Sequence, residues 1–251
     1  MGEEGRVSSI QKSLEVLGCF IQEPRLGVTQ ISRKLGISKS HVCKILATFE
    51  DMGYIDKDEE SGKYELGLGI FALSRALGEK FIITKVAAPY LQELANQTNQ
   101  RVYLAMPYED QVLYLDAFYP IGEIGLMRNI LGERAQMYCT GLGKAMLSGL
   151  NVQAVEEYCK DREFIQYTDN TIVSSEGLRE ELERVRRRGY AIDDMEHEFG
   201  VRCVAMPVFD RSRKLSAAVS ISGPAVLIHQ DTAQDLAQML KKTVRDIEGR
   251  L

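Results

Sequence analysis

The stretch Gly36–Tyr54, GISKSHVCKILATFEDMGY, places apolar residues at Val42, Ile45, Leu46 and Phe49, the i, i+3, i+4, i+7 spacing of one helix face. The other face is small, polar and basic: Ser40, His41, Lys44 and Thr48, with Lys39 at the start. Every surface helix has a polar side, so plain solvation has to be weighed against a binding role. The surroundings decide. Between Glu23 and Glu50 no acidic residue occurs, whereas Arg25, Arg33, Lys34, Lys39 and Lys44 all fall there. The whole chain has a formal net charge of -5, so this is a local electrostatic signal that the average hides.

Working outward, Ile10, Leu14, Leu17 and Ile21 predict a first helix, with Ser8 or Ser9 as its N-cap and Pro24 as its stop. After Gly27, Thr29 is expected to cap a short second helix with Val28, Ile31 and Leu35 on its inner face. Gly36 ends that helix, Ser38 caps the third, and Gly53 closes it. YIDK and KYEL flank the turn-like DEESG and read as a β-hairpin. Helix, helix, tight turn, helix, hairpin is the order of a winged helix-turn-helix, whose third helix fits a major groove about 12 Å wide. The expected DNA contacts are Thr29, Ser38, Lys39, Ser40, His41, Lys44 and Thr48, with Lys63 from the wing. The wing tip Asp58-Glu59-Glu60 would be repelled by phosphates, so it is expected to point away from the duplex.

Leu68 to Leu77 resumes helical periodicity and reads as a linker helix, and a longer helix is expected from about Thr84 to Thr98. Beyond Gln100 the pattern changes to strands: VYLAM and VLYLDAF around PYEDQ, then EIGLM, and later YAIDDM, VRCVAMPVF and LSAAVSIS. GLGKAMLSGL and SSEGLREELERVRRRG read as helices, and the chain closes with a helix from about Gln230 to Ile247. Strands that return by hairpins, with helices at the margins, give an α+β fold around an antiparallel sheet. The expected domains are residues 1–67, a linker at 68–83, and 84–251.

At 251 residues, 45% hydrophobic and 27% charged, the chain can bury a sizeable core. Its five cysteines are odd in number, scattered and free of any C-x-x-C pair, which argues for a reducing compartment and against a disulfide framework or a zinc finger. No signal-peptide pattern opens the chain and no apolar run is long enough for a membrane span, so a cytoplasmic location with no membrane partner is expected.

Catalytic readings fare poorly. GLGKAM resembles a phosphate loop, but that motif needs glycine where Tyr138 stands and Ser or Thr where Ala145 stands. DDMEHE (193–198) reads as a solvated acidic loop in preference to a metal site. Cys203 has only His197 or His229 as conceivable bases. No cofactor, metal or catalytic residue is expected. A binding site is easier to build. Thr140-Gly141-Leu142-Gly143 precedes a helix, where backbone N–H groups favour an acceptor or anion. Ser220 and Ser222 share one strand face, either satisfied in the core or open to a ligand.

SSIQKSLEVLGCF followed by VTQISRKLGISKSHVCKILATFEDMGYIDKDEESGKYELG resembles the N-terminal domain of IclR-type bacterial transcriptional regulators. The resemblance continues through YCTGLGKAML, the segment from Tyr167 to Asp193, GVRCVAMPVFD and SISGP, and so spans nearly the whole chain. It implies a winged-helix domain, a linker helix and a C-terminal GAF-like effector domain. It also implies a homodimer or homotetramer that binds a palindromic operator on double-stranded DNA. Carried over residue by residue, it implies effector contacts from the backbone at Gly141 and Leu142, from Asp193, Cys203, Ser220 and Ser222, and apolar walls at Ile124 and Met127. Such a set suits a small organic, keto or hydroxy acid. The rival expectation is an enzyme or cysteine-based redox sensor that carries a winged helix as an interaction module.

Overall fold

Ser38 caps the third helix as expected: its hydroxyl accepts the His41 N–H at 3.3 Å. A computed structural model describes residues 7–78, 82–122 and 130–251 of the protein. They fall into two units, Met1–Phe81 and Ile82–Leu251.

In the first unit α1 (Ser8–Gln22), α2 (Val28–Leu35) and α3 (Lys39–Asp51) precede the hairpin β1 (Ile55–Lys57) and β2 (Tyr64–Leu66), and α4 (Gly69–Gly78) follows. The tight turn between α2 and α3 depends on Gly36, whose φ of 66° is left-handed and costs glycine little. Val16, Phe20, Leu26, Ile31, Val42, Ile45, Leu46 and Ile55 form one core. Three details depart from expectation. Val7, without a side-chain cap, precedes α1 in place of a serine. Thr29 lies inside α2, where Gly27 is the cap residue and its N–H is accepted by Gln30 at 2.9 Å. The stripe of Ile10, Leu14 and Ile21 faces outward at 58%, 60% and 77% exposure, because α1 packs through Val16 and Phe20 instead. Both stripes have helical spacing, and periodicity alone cannot choose between them.

The second unit begins with α5 (Ile82–Thr98) and the hairpin β3 (Arg101–Tyr108) and β4 (Gln111–Phe118). Next come β5 (Arg134–Gln136), a 3-10 turn (Met137–Cys139), α6 (Gly141–Ser148), α7 (Val152–Cys159) and α8 (Ser175–Arg188). Then β6 (Ala191–Asp194), β7 (Val201–Phe209), β8 (Leu215–Pro224) and α9 (Gln230–Glu248) close it. The strands make one antiparallel sheet in the order β5-β4-β3-β8-β7-β6. The helices cover its faces instead of lying at its margins. Val102, Leu104, Val204, Val219 and Ile221 pack with α5 and α9, whereas Ala105, Ala205 and Ala218 pack with α6 and α8. The short β5 and α7 were not anticipated. EIGLM, with Ile124 and Met127, lies outside the described residues.

A Cβ built on Gly143 would stand 2.2 Å from the Met137 Cα and 2.4 Å from its carbonyl oxygen, a clash with backbone that no rotamer relieves. On Gly141 it would meet the Cβ atoms of Ala205 and Cys203 at 3.4 Å and of Asp193 at 3.6 Å. Gly143→Ala is therefore expected to lower unfolding stability by about 3 kcal/mol or more, while Gly141→Ala folds with a near-normal midpoint in denaturant titration. Equal midpoints for the two variants would show that α6 does not depend on this close approach.

Candidate ligand cavity and nucleic-acid interface

On α3 the side chains of Lys39, Ser40, His41, Lys44 and Thr48 are all exposed, as are the capping Ser38 and, on the hairpin, Lys63. Thr29 is half-buried at the second position of α2. His41, Lys44 and Thr48 border a shallow cleft of about 230 Å³ floored by Ile45 and Phe49, and Ser9 and Ser13 of α1 form its other bank. Neither serine was among the expected DNA contacts, and Ser9 was read only as a candidate N-cap. The basic surplus is smaller than the sequence suggests. Arg25 pairs with Glu65 at 2.7 Å and Lys34 with Glu23 at 2.6 Å, which leaves Arg33 and the α3 lysines as the cations without a described acidic neighbour. At the wing tip Asp58 accepts bonds from the Ser61 hydroxyl at 2.7 Å and the Glu60 N–H at 3.0 Å. One acid of the tip thus turns into its own loop.

In the second unit a cavity of about 750 Å³ lies against the α6 face of the sheet. The strand register builds its floor. Asp193 on β6 stands opposite Cys203 on β7, Cys203 opposite Ser222 on β8, and Ser222 opposite Arg101 on β3. Directly opposed residues point to the same side, so this row presents carboxylate, thiol, hydroxyl and guanidinium in order across four strands. In the next row Ser220 stands between Ala205 and Tyr103. Gly141 and Leu142 also border the cavity. Thr140 caps α6 by accepting the Gly143 N–H at 3.1 Å. The Gly141 and Leu142 N–H groups, in the first turn, have no acceptor within the helix. Tyr103 and Tyr114 meet edge-on at 5.8 Å in the wall. Six of the eight expected effector residues therefore converge on one cavity, and the other two are Ile124 and Met127.

The thiols beside the cavity are chemically quiet. Burial, then the nearby Asp193, pushes the Cys203 thiol far above its usual pKa, and its sulfur lies 3.1 Å from the Ser222 hydroxyl. Cys139 comes within 3.8 Å of the His197 ring, but burial pushes its pKa up to about 12. A reactive thiolate needs the opposite shift.

DDMEHE is not a solvated acidic loop. Met195 adopts φ 58°, which breaks the strand alternation after Asp194 and turns both Asp193 and Glu196 inward. Beneath them lies Lys144, 1% exposed, in ion pairs with Glu196 and, at 3.7 Å, Glu181. Burial works to raise the Glu181 pKa, but Lys144, Arg184 and Arg188 outweigh it and hold it below the usual range. Asp193 accepts the Glu196 N–H at 2.8 Å. Burial pushes Asp193 up to about 6 and Glu196 up to about 7, against the pull of Lys144. The Lys144 contact favours an ionised Glu196 and burial favours a neutral one. Burial prevails because one ammonium faces three carboxylates. The Glu196 Oε2 atom, buried without a hydrogen-bond partner, fits that balance. Among the described residues no three potential metal ligands gather, and no helix is long and apolar enough to cross a membrane.

A winged helix-turn-helix carried in one chain with a polar cavity domain is the build of a DNA-binding transcriptional regulator. Family models match both parts: the IclR helix-turn-helix domain over residues 9–59 and the bacterial transcriptional regulator IclR C-terminal domain over residues 76–249. The chain belongs to the IclR family of bacterial transcriptional regulators. It is 32% identical over 248 residues to the HTH-type transcriptional regulator KdgR of Escherichia coli (strain K12), covering 98% of this chain and 93% of that protein. It is 26% identical over 246 residues to the transcriptional repressor IclR of the same organism, covering 97% and 89%. The crystal structure of the Thermotoga maritima IclR superposes with a TM-score of 0.80 at 28% identity, covering 98% of this chain and 99% of that one.

The raised acids give a pH dependence with a definite sign. Between about pH 4 and 7 the folded state binds more protons at Asp193 and Glu196 than the unfolded state does, so their contribution to stability falls as pH rises through 6 and 7. Melting curves from pH 5.5 to 8 are expected to show this loss. Glu196→Gln should flatten it by a few degrees. An unchanged slope in that variant would assign the dependence to other groups.

Proposed function

We propose that the protein is a cytoplasmic repressor whose operator binding is controlled by a small organic, keto or hydroxy acid held in the second unit. In this reading α3 lies in the major groove, with Lys39, Ser40, His41, Lys44 and Thr48 toward base edges and phosphates. Thr29, Ser38 and Lys63 meet the flanking backbone. The relative named transcriptional repressor IclR supports the direction of control. Self-association as a homodimer or homotetramer on a palindromic operator is supported by exposed apolar side chains in a single copy: Leu68, Phe71 and Leu73 near and on α4, and Ile10 and Leu14 on α1. Two α3 helices would then read half-sites about 34 Å apart. Lys44→Ala is expected to weaken binding to the DNA flanking the protein's own gene. It should also lower the slope of log affinity against log salt by about one, if the ammonium meets a phosphate. A mobility-shift series in which slope and affinity stay at wild-type values would remove α3 from the interface.

For the effector, the observation that carries the reading is the convergence of Gly141, Leu142, Asp193, Cys203, Ser220 and Ser222, from four separated segments, on one cavity. Backbone N–H groups and two hydroxyls suit a carboxylate or carbonyl, and a carboxylate such as Asp193 suits a hydroxyl donor. A volume of about 750 Å³ is more than a two- or three-carbon acid fills. A longer, hydroxylated acid makes better use of it. Such a ligand controls DNA affinity only by binding two arrangements of the protein unequally. Thermal-shift screening with organic acids tests this. Ser220→Ala combined with Ser222→Ala should abolish the response, and unchanged affinity in that double variant would place the ligand elsewhere.

A further inference from the structure

In the sequence Tyr114 is one of the large side chains of VLYLDAF, with nothing to mark its phenol. An irregularity of β4 sets it in the cavity wall. Ala105 pairs with Tyr114 and Leu104 with Asp116, so Leu115 has no partner on β3. Such a bulge re-aims the side chains beside it. Before it, Val112 and Tyr114 pack with the core under α6. After it, Phe118 packs with α5 and α9, where unbroken alternation would put it on the side of Tyr114. Opposite Tyr114 stands Ala105, and opposite Ala105 stands Ala218. Two methyl side chains leave the ring room to lie back over the sheet, where it meets Tyr103 edge-on at 5.8 Å.

We propose that Tyr114 is a specificity-determining residue of the cavity, donating its phenolic hydrogen to an uncharged oxygen of the ligand, a hydroxyl or a carbonyl. This rests on the cavity reading above, and adds to it a donor from a strand that none of the expected contacts occupies.

The hydroxyl is the first reason. Tyr114 borders the cavity, yet among the described residues none exchanges a hydrogen bond with its phenol. Tyr103 differs, its phenol being bonded by Arg101. A tyrosine this far inside normally finds a partner for its O–H, and a bound ligand can supply one. The second reason is that the donor is already held. The Tyr114 N–H donates to the Glu133 carbonyl at 3.0 Å, its carbonyl accepts the Gly132 N–H at 2.9 Å, and the ring is braced by Tyr103. A side chain fixed beforehand loses little freedom on binding.

Charge then decides what the phenol can read. Burial, followed by the nearby Cys203 and Asp193, raises its pKa, so it stays protonated and remains a donor. The Asp193 carboxylate disfavours an anionic oxygen in the same space. Tyr114 therefore reads a neutral part of the ligand. A ligand with only methylenes at that place would leave the phenol unmet, and a site built to hydrogen-bond an oxygen discriminates against such an analogue.

The test uses the full-length protein with two six-carbon probes. Gluconate carries a hydroxyl on every carbon beyond the acid, so an oxygen reaches the phenol wherever the chain lies, and hexanoate carries none. Calorimetry and thermal shift are run on wild type, Tyr114→Phe and the Ser220→Ala, Ser222→Ala double variant. Tyr114→Phe should weaken gluconate about three- to tenfold and leave the hexanoate response, measurable or nil, as in wild type. Its unliganded melting point should stay within about a degree of wild type, since the lost hydroxyl bonds nothing in the protein. A drop of several degrees would show the hydroxyl engaged in the fold and overturn the proposal. So would equal weakening of gluconate and hexanoate, which would make Tyr114 a wall residue only. Gluconate binding that is lost in the double serine variant but unchanged in Tyr114→Phe overturns the donor and leaves the cavity reading standing. Gluconate that does not bind, or binds equally to all three proteins, overturns the donor and the cavity reading together.

Discussion

The second unit depends on how closely the first turn of α6 approaches the backbone beside it. Gly143 has no room for a methyl group because the Met137 backbone occupies it, and Gly141 sits against the Cβ atoms of Cys203, Ala205 and Asp193. That approach brings the open N–H groups of α6 to within reach of the sheet face and lets one cavity be shared by helix and strands. Small residues complete it. Ala105, Ala205 and Ala218 stand on this side of the sheet, where the opposite side carries Val102, Val204 and Val219. A bulkier set would hold the first turn of α6 away from the sheet.

One turn further along α6, Lys144 locks the same helix from below. An ammonium in the interior is tolerated only with partners, and removing a partner from such a site typically costs about 3–5 kcal/mol because the remaining charge is stranded. Glu181 draws in two arginines of its own helix, at 2.8 and 2.7 Å. Glu196 and Asp193 draw in the chain after β6. The cluster therefore ties α6, α8 and the end of β6 into one body under the cavity. Its cost shows in the raised pKa values of Asp193 and Glu196, so the rigidity of the floor and its sensitivity to protons share one cause.

How far the sequence could be read follows from which forces are local. Gly36, Ser38 and the spacing of Val42, Ile45 and Leu46 act within a few residues, and α3 was legible from them alone. The outward stripe on α1 was not, because a helix with two apolar stripes needs its neighbours to choose one. The acidic segment was misread for a related reason. Nothing in Met195, which is not a glycine, announces the left-handed residue that turns Glu196 inward. Lys144, Glu181 and Glu196 are separated by dozens of positions, so their meeting has no local trace. The turn before α6 and the Ser220–Ser222 face are legible as binding candidates from local pattern, whereas Asp193 and Cys203 were reached only by family likeness, since Asp193, Cys203 and Ser222 become neighbours only through strand register.

A sensor must hold its ligand and release it unaltered, and the walls of this cavity suit that requirement. The two thiols nearest the floor are held protonated by burial and by the acid beside them, so neither supplies a nucleophile at neutral pH. Asp193 is engaged by backbone N–H groups, which fixes its direction and limits its use as a mobile base. The polar groups left at the cavity are hydrogen-bond donors at the α6 turn and a fixed acid at Asp193. The same burial that quiets the thiols also lowers the dielectric around these groups, which strengthens any hydrogen bond they make. Chemical inertness and tight recognition are thus two consequences of placing polar side chains on a floor closed off by α6.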